Sequence, residues 1–210
     1  SLAELGFIVV ELDAMGTPGR SKSFHDTYYG DMGDNGLPDQ IEGIRQLGVV
    51  NPWMDLERVG IWGHSGGGFA STAGILRYPD FYKVAVSGAG NHDNRNYEDD
   101  WGEKWQGLLE TFPENNPGEG EPVITTNYDN QANQLLAANL EGKLLLAHGM
   151  LDTNVHPSST MLVVEALIEA DKDFDLVVLP NASHGFGNRR YFMKRRWDYF
   201  VENLRDLQPP

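Results

Sequence analysis

A chain of 210 residues is long enough to bury one sizeable apolar core, and 40% hydrophobic with 22% charged residues is the balance of a folded globular domain. A formal net charge of −15 sets the surface against phosphate backbones and argues against nucleic acid as a partner. The sequence has no cysteine, which removes disulfides, thiolate metal sites and cysteine nucleophiles and leaves the compartment open.

The opening residues, Ser1-Leu-Ala-Glu-Leu-Gly-Phe7, lack a basic stretch followed by an apolar run and do not read as a signal peptide. They read as the last turn of a helix closed by Gly6 and entering a strand at 7–12. A chain that opens at the end of a helix is expected to have lost something upstream. Residues 14–36, rich in Gly, Asp, Ser and Tyr, read as a long ordered loop. A helix is expected at 39–47, a strand at 58–62, a helix at 66–77 ended by Tyr78-Pro79, and a strand at 84–87. Residues 90–127 form a second long insertion, with a turn-rich run from Pro113 to Pro122. A short helix follows at 130–139, then a strand at 143–147. Pro157-Ser158-Ser159 opens a helix with Met161, Val164 and Ile168 on one face. After a strand at 175–179, the last helix carries Met193, Trp197, Phe200, Val201 and Leu204 at helical spacing. The strands are continuously apolar, as parallel strands covered by helices on both faces should be. No apolar stretch is long enough to span a bilayer.

After the strand at 58–62 comes Gly63-His64-Ser65-Gly66-Gly67, a G-x-S-x-G pattern leading into a helix. A serine in that place sits on a sharp turn that lifts its Oγ above the sheet. Side chains two residues before and two after it are expected to collide, which accounts for Gly63 and Gly67. The backbone N–H of Gly66 is the expected oxyanion donor, at the positive end of the following helix. The bland alternative is a glycine-rich turn whose serine merely caps that helix.

A serine nucleophile needs a base, and the base needs an orienting acid. Leu144-Leu-Leu-Ala-His-Gly-Met-Leu-Asp152 is a strand running into a loop with an aspartate, and Pro180-Asn-Ala-Ser-His184-Gly185 supplies a histidine in the next loop. Asp152 and His184 therefore complete the order Ser, acid, His, at the carboxyl ends of parallel strands. His148 and His156 are expected to hydrogen-bond the acid loop into shape, His64 to point away from Ser65, and His25 and His92 to take surface or pocket positions. Asp129, Asp173 and Asp175 compete as acids, but none lies in a strand-to-loop position between nucleophile and base. No metal-ligand spacing and no nucleotide-binding glycine pattern occurs, so no metal and no cofactor is called for.

Four segments carry a more specific signal: Asp39-Gln-Ile-Glu-Gly-Ile-Arg-Gln-Leu47, Arg58-Val-Gly-Ile-Trp-Gly-His-Ser-Gly-Gly-Gly-Phe69, Leu144 to His156, and His184-Gly185 before an aromatic-rich helix. On these segments, which are spread over most of the chain, the sequence resembles the catalytic domain of the prolyl oligopeptidase family, most closely its dipeptidyl-peptidase IV branch. The resemblance implies an α/β-hydrolase fold lacking its first strands, with residues 1–210 as one catalytic domain. It implies cleavage of short peptides, often after a penultimate proline, by acyl transfer through Ser65. Asp152 carries over as the acid and His184 as the base. Asn154 carries over as a donor to the substrate carbonyl next to the scissile residue, and Val155, Tyr97 and Trp101 as the pocket for the residue before the cut. From the residues alone, the aromatics after Asn91 form either an apolar slot or, with Trp105, a packed lid.

Departures from the family pattern leave proline preference open against a broader aminopeptidase or oligopeptidase. Gly66 stands where the closest dipeptidyl peptidases have a tyrosine, and Asn91 and Asn94 replace apolar or aromatic pocket positions. Family members also carry an upstream β-propeller and an early strand whose loop bears a tyrosine, the second oxyanion donor. Without them an open sheet edge and bare apolar surface are expected. The resemblance favours a periplasmic or extracellular setting. Two other readings stand beside the peptidase. One is an esterase or acyl-peptide hydrolase with the same triad. The other is a non-catalytic folding or dimerisation module, whose homodimer would use the apolar stripes of the late helices instead of burying them in the core.

Overall fold

A computed structural model describes residues 2–34, 36–114, 123–205 and 207. In chain order its elements are α1 (Lys22–His25), α2 (Leu37–Val50), β1 (Val59–His64), α3 (Gly66–Arg77), β2 (Tyr82–Gly88), α4 (Asp99–Gln106), β3 (Thr111–Glu114), β4 (Val123–Thr126), β5 (Lys143–Gly149), α5 (Ser158–Glu169), β6 (Asp175–Leu179) and α6 (Arg190–Arg205). Four strands make a parallel sheet in the order β1-β2-β5-β6, and β3 and β4 form a separate antiparallel pair.

The sequence of β5 explains the layering. Successive side chains of a strand point to opposite faces, so an apolar run must find cover on both. Leu144 and Leu146 enter a core with Ile41 of α2, Ile75 and Leu76 of α3, and Val163 and Leu167 of α5. Leu145 and Ala147 enter the opposite core with Phe192, Tyr199, Phe200 and Leu204 of α6. Each fully buried leucine contributes roughly 1.5–3 kcal/mol of transfer free energy. The sheet thus has helices on both faces, and its four parallel strands match the expected ones at 58–62, 84–87, 143–147 and 175–179. No helix among the described residues is long and apolar enough to cross a membrane.

Four expectations change. Residues 7–12 form no strand. Among the described residues β1 pairs with β2 alone, and residues 7–12 have no ladder neighbour, so Ile8 and Val9 stand 50% and 56% exposed. An apolar β-prone sequence does not become a strand without an adjacent backbone to take its N–H and C=O groups. The segment is instead held by side chains. Phe7 meets Phe200 edge-on at 6.3 Å, and Leu12 fills the space where a side chain at Gly43 of α2 would be. The turn before it is as expected, with Gly6 at φ 84° closing a 3-10 turn over Ala3–Leu5.

The expected helix at 130–139 is two 3-10 runs, Asp129–Gln131 and Asn133–Asn139. Its polar side chains are committed elsewhere: Asn133 Nδ2 donates to the Phe69 carbonyl and to His92 Nδ1. In α5 the fully buried apolar residues are Val163 and Leu167; of the expected face Val164 packs partly buried against the same core, while Met161 and Ile168 are exposed. The helix is apolar nearly all round, so spacing alone does not choose its inner face. Finally, the insertion at 90–127 holds α4 and the β3–β4 pair, and residues 115–122 of its turn-rich run lie outside the described residues.

Candidate active site

Between β1 and α3 the chain turns at Ser65, which takes φ 59° and ψ −124°. A positive φ on a serine is uncommon and costs free energy, so the surroundings must enforce it. Ser65 N–H donates to the Gly88 carbonyl at 2.8 Å, and Phe69 N–H donates to the Ser65 carbonyl at 3.0 Å. A side chain at Gly63 would run into the backbone carbonyl of Gly67. A side chain at Gly67 would meet open space, so the expected collision holds on one side of the serine only. The second crowded glycine is Gly68, whose side chain would strike the Gly88 carbonyl of β2. The N–H of Gly66 opens α3, where the first amides have no intrahelical acceptor.

Three loops bring Ser65, His184 and Asp152 into one line. Ser65 Oγ lies 2.9 Å from His184 Nε2, and His184 Nδ1 lies 2.7 Å from Asp152 Oδ2. Asp152 is buried just after β5, and its Oδ1 accepts from the N–H groups of Asn154 and Val155, both at 3.0 Å. Those three donors hold an otherwise costly buried carboxylate. The competing acids are engaged elsewhere: Asp129 pairs with Arg95, and Asp175 accepts from the Tyr199 hydroxyl.

The histidines were only partly legible in the sequence. His64 makes no bond to Ser65, as expected, but it lies against the base. Its ring is 5.0 Å from that of His184, and its Nε2–H donates to the His184 carbonyl at 2.6 Å. Burial lowers its pKa, which keeps it a neutral donor. His92, expected at a surface or pocket, is fully buried. Burial pushes its pKa down to about 3, aided by nearby His148. His148 shapes the acid loop, donating from Nε2 to the Val155 carbonyl at 2.9 Å, and His156 Nδ1 accepts at the start of α5, from Ser158.

Beside this line Tyr97, Trp101 and Asn154 come together. The Tyr97 hydroxyl donates to Asn154 Oδ1 at 3.0 Å, and its ring meets Trp101 edge-on at 5.5 Å. Val155 is 1% exposed, with its backbone committed to Asp152 and His148. Trp105 turns to the other side and packs on Tyr28 at 4.9 Å and His25 at 5.9 Å. The aromatics therefore divide into a Tyr97–Trp101 pair beside Asn154 and a Trp105–Tyr28–His25 packing cluster.

A buried polar cluster that sequence reasoning missed holds the segment bearing Tyr97. Arg95 bridges Asp93 and Asp129, each at 2.7 Å. Asn91 donates to Asn94 at 2.7 Å, and Asn94 N–H donates to Gln131 at 2.9 Å. The one available signal was density: a run such as Asn91-His-Asp-Asn94 is too polar to be buried unless its groups find partners.

The prolyl oligopeptidase family is matched over residues 1–206. Human dipeptidyl peptidase 8 is 32% identical over 207 residues, which are 97% of this chain and 22% of that protein. Mouse prolyl endopeptidase FAP is 25% identical over 189 residues, 88% of this chain and 23% of that protein. Among solved structures, dipeptidyl peptidase 4 of Porphyromonas gingivalis superposes with a TM-score of 0.77 at 28% identity, covering 91% of this chain and 26% of that one. The acylaminoacyl peptidase of Pyrococcus horikoshii gives 0.76 at 22% identity, with 94% and 32% covered. The fold is that of the α/β-hydrolases. The chain spans 22% to 32% of the length of these matched proteins.

Proposed function

The chain belongs to the prolyl oligopeptidase family, and from that premise we propose that it is the catalytic segment of a serine peptidase that cleaves short peptides. The observation that carries the proposal is the unbroken line Ser65 Oγ, His184, Asp152, with both contacts within 2.9 Å. Ser65 Oγ attacks the scissile carbonyl carbon while His184 Nε2 takes its proton. The carbonyl oxygen becomes an oxyanion that accepts from the Gly66 N–H. Collapse of this intermediate breaks the C–N bond, and His184 gives its proton to the leaving amine. Water, deprotonated by His184, then releases the acyl group by the same path. Asp152 stays ionised throughout and holds Nδ1–H, which fixes the tautomer.

Substrate recognition falls to the slot beside the line. Asn154 Oδ1 is taken by Tyr97, which leaves its Nδ2 to donate to a carbonyl next to the scissile residue. The Tyr97–Trp101 pair offers an apolar wall for the side chain before the cut. The names of the matched proteins, dipeptidyl peptidases and a prolyl endopeptidase, support a dipeptidyl- or oligopeptidase type of cleavage.

A fluorophosphonate probe applied to the full-length polypeptide tests the nucleophile. Ser65 should be the labelled residue, and Ser65→Ala should lose labelling together with roughly 10⁶-fold of turnover. Labelling that survives Ser65→Ala sinks the proposal. An X-Pro-anilide compared with a simple acyl ester then separates a peptidase from an esterase.

A further inference from the structure

Behind Asp152 a hydrogen-bonded chain continues away from the reacting atoms. His148 is the sixth residue of β5, four before Asp152, and is fully buried. Its Nε2 stands 2.9 Å from the Val155 carbonyl and 3.4 Å from Asp152 Oδ2, and its Nδ1 stands 2.7 Å from Thr160 Oγ1. A carbonyl oxygen can only accept, so Nε2 carries the ring hydrogen and Nδ1 the lone pair. The Thr160 hydroxyl, buried in the first turn of α5, must then be the donor to Nδ1. Both ends of the ring thus specify the same tautomer.

This chain bears on both oxygens of Asp152. By holding the Val155 carbonyl, His148 keeps Val155 oriented, and the Val155 N–H donates to Oδ1 at 3.0 Å. The same Nε2–H faces Oδ2, the oxygen that receives His184 Nδ1–H. At 3.4 Å this second contact is electrostatic rather than a full hydrogen bond. The titratable groups facing His148 are Asp152 from its own loop, His184 from the loop after β6, His64 from the end of β1 and His92 from the segment after β2. Asp152 is the one carboxylate among them. Burial lowers the pKa of His148, so at neutral pH it acts as an oriented dipole and not as a competing cation.

We infer that Thr160 and His148 are positioning residues for the reaction: the Thr160 hydroxyl fixes the His148 tautomer, and His148 fixes the direction and charge of the Asp152 carboxylate. The inference rests on the reading of Ser65, His184 and Asp152 as the reacting line. A donor polarised by Thr160 draws charge from Oδ2. Without it more charge remains on Asp152, so the pH dependence of Ser65 labelling should move to higher pH.

The test uses fluorophosphonate labelling rates of the full-length polypeptide across pH, for wild type, Thr160→Val, Thr160→Ala and Thr160→Ser. Valine keeps the shape and removes the hydroxyl, alanine does so without the added methyl should valine prevent folding, and serine restores the donor. Valine or alanine should slow labelling on the order of tenfold, the scale of one buried acceptor left without its donor. The acidic limb should move to higher pH, and serine should bring both back. Wild-type rates with an unmoved limb overturn the inference. So does a slow variant whose limb stays in place or that serine does not rescue, because that is the pattern of lost packing. If wild type itself fails to label at Ser65, the peptidase reading fails first, and the two failures are told apart.

Discussion

Two apolar stretches of similar composition end up in opposite states. Leu144-Leu-Leu-Ala147 lies inside β5, between β2 and β6, with every side chain buried. Phe7-Ile-Val-Val10 has no ladder partner among the described residues, and Ile8 and Val9 stand half exposed. Hydrophobicity is the same; neighbours are not. A strand is completed by the backbones on either side of it, and the working residues follow those completed strands. Asp152 follows β5, which is paired on both edges. Ser65 follows β1, which among the described residues is paired on one edge, so its turn depends on the Ser65–Gly88 bond and on the tight contacts at Gly63 and Gly68.

Breaking the interior end should cost most. Asp152→Asn keeps the shape and removes the charge that orients His184, so turnover should fall about 10⁴-fold with little change in folding. Steady-state kinetics on a peptide anilide measures this, and a loss below tenfold would mean that Asp152 does not orient the base. Next comes packing. Leu145→Ala, at a fully buried position in the α6-side core, should destabilise by about 2–5 kcal/mol in urea unfolding. A cost under 1 kcal/mol would show that this end of the sheet is looser than its burial implies.

The interior end should also carry the acid sensitivity. His92 and His148 lie at or just past the carboxyl ends of the central strands β2 and β5, His64 ends the neighbouring β1, and burial lowers the pKa of each. A group whose folded pKa is depressed contributes stability that is fully present above its unfolded value and is lost as pH falls toward the folded one. For His92 that window runs from 6.5 down to about 3. His92 alone should cost about 2 kcal/mol between pH 6.5 and pH 5, and the other two act in the same direction. Urea midpoints at pH 7.5 and 5.0 should differ accordingly, and His92→Gln should remove a measurable part of the difference. Equal midpoints for wild type would contradict the buried, neutral state of these rings.

The same contrast explains what the sequence could and could not disclose. The G-x-S-x-G turn, the acid loop and the His-Gly loop were legible because each is local, a strand end followed by a defined residue. The inner strands β2 and β5 were legible because burial on both faces leaves few polar positions in the run, and the outer β1 and β6 because their runs stay apolar although partly exposed. Residues 7–12 were misread because pairing is a property of the neighbour and leaves no mark on the segment itself. The inner face of α5 was misread because a helix apolar all round has no periodic signal. His92 and Asn133 were unreadable for a third reason. Their polarity marks them as surface residues, and only the tertiary fold shows that Asn133 Nδ2 meets His92 Nδ1 in the interior. His64 sat inside the motif, yet its bond to the His184 carbonyl spans 120 residues.

The smallest expected effect is the sharpest test of the comparison. Val9 is 56% exposed and has no ladder partner, so Val9→Thr removes little buried apolar area. In the isolated chain the change should stay within about 0.5 kcal/mol in urea unfolding, the range of ordinary surface substitutions. Phe7→Ala on the same segment should cost more, because Phe7 is half-buried against Phe200 of α6. If both cost the same, the segment is not held by its alternating contacts. The decisive measurement repeats Val9→Thr in the full-length polypeptide. A cost that stays within about 0.5 kcal/mol there means that the segment remains bare. A cost of the size found for Leu145→Ala means that residues 7–12 gain a neighbour, and the two stretches then differ only in where that neighbour comes from.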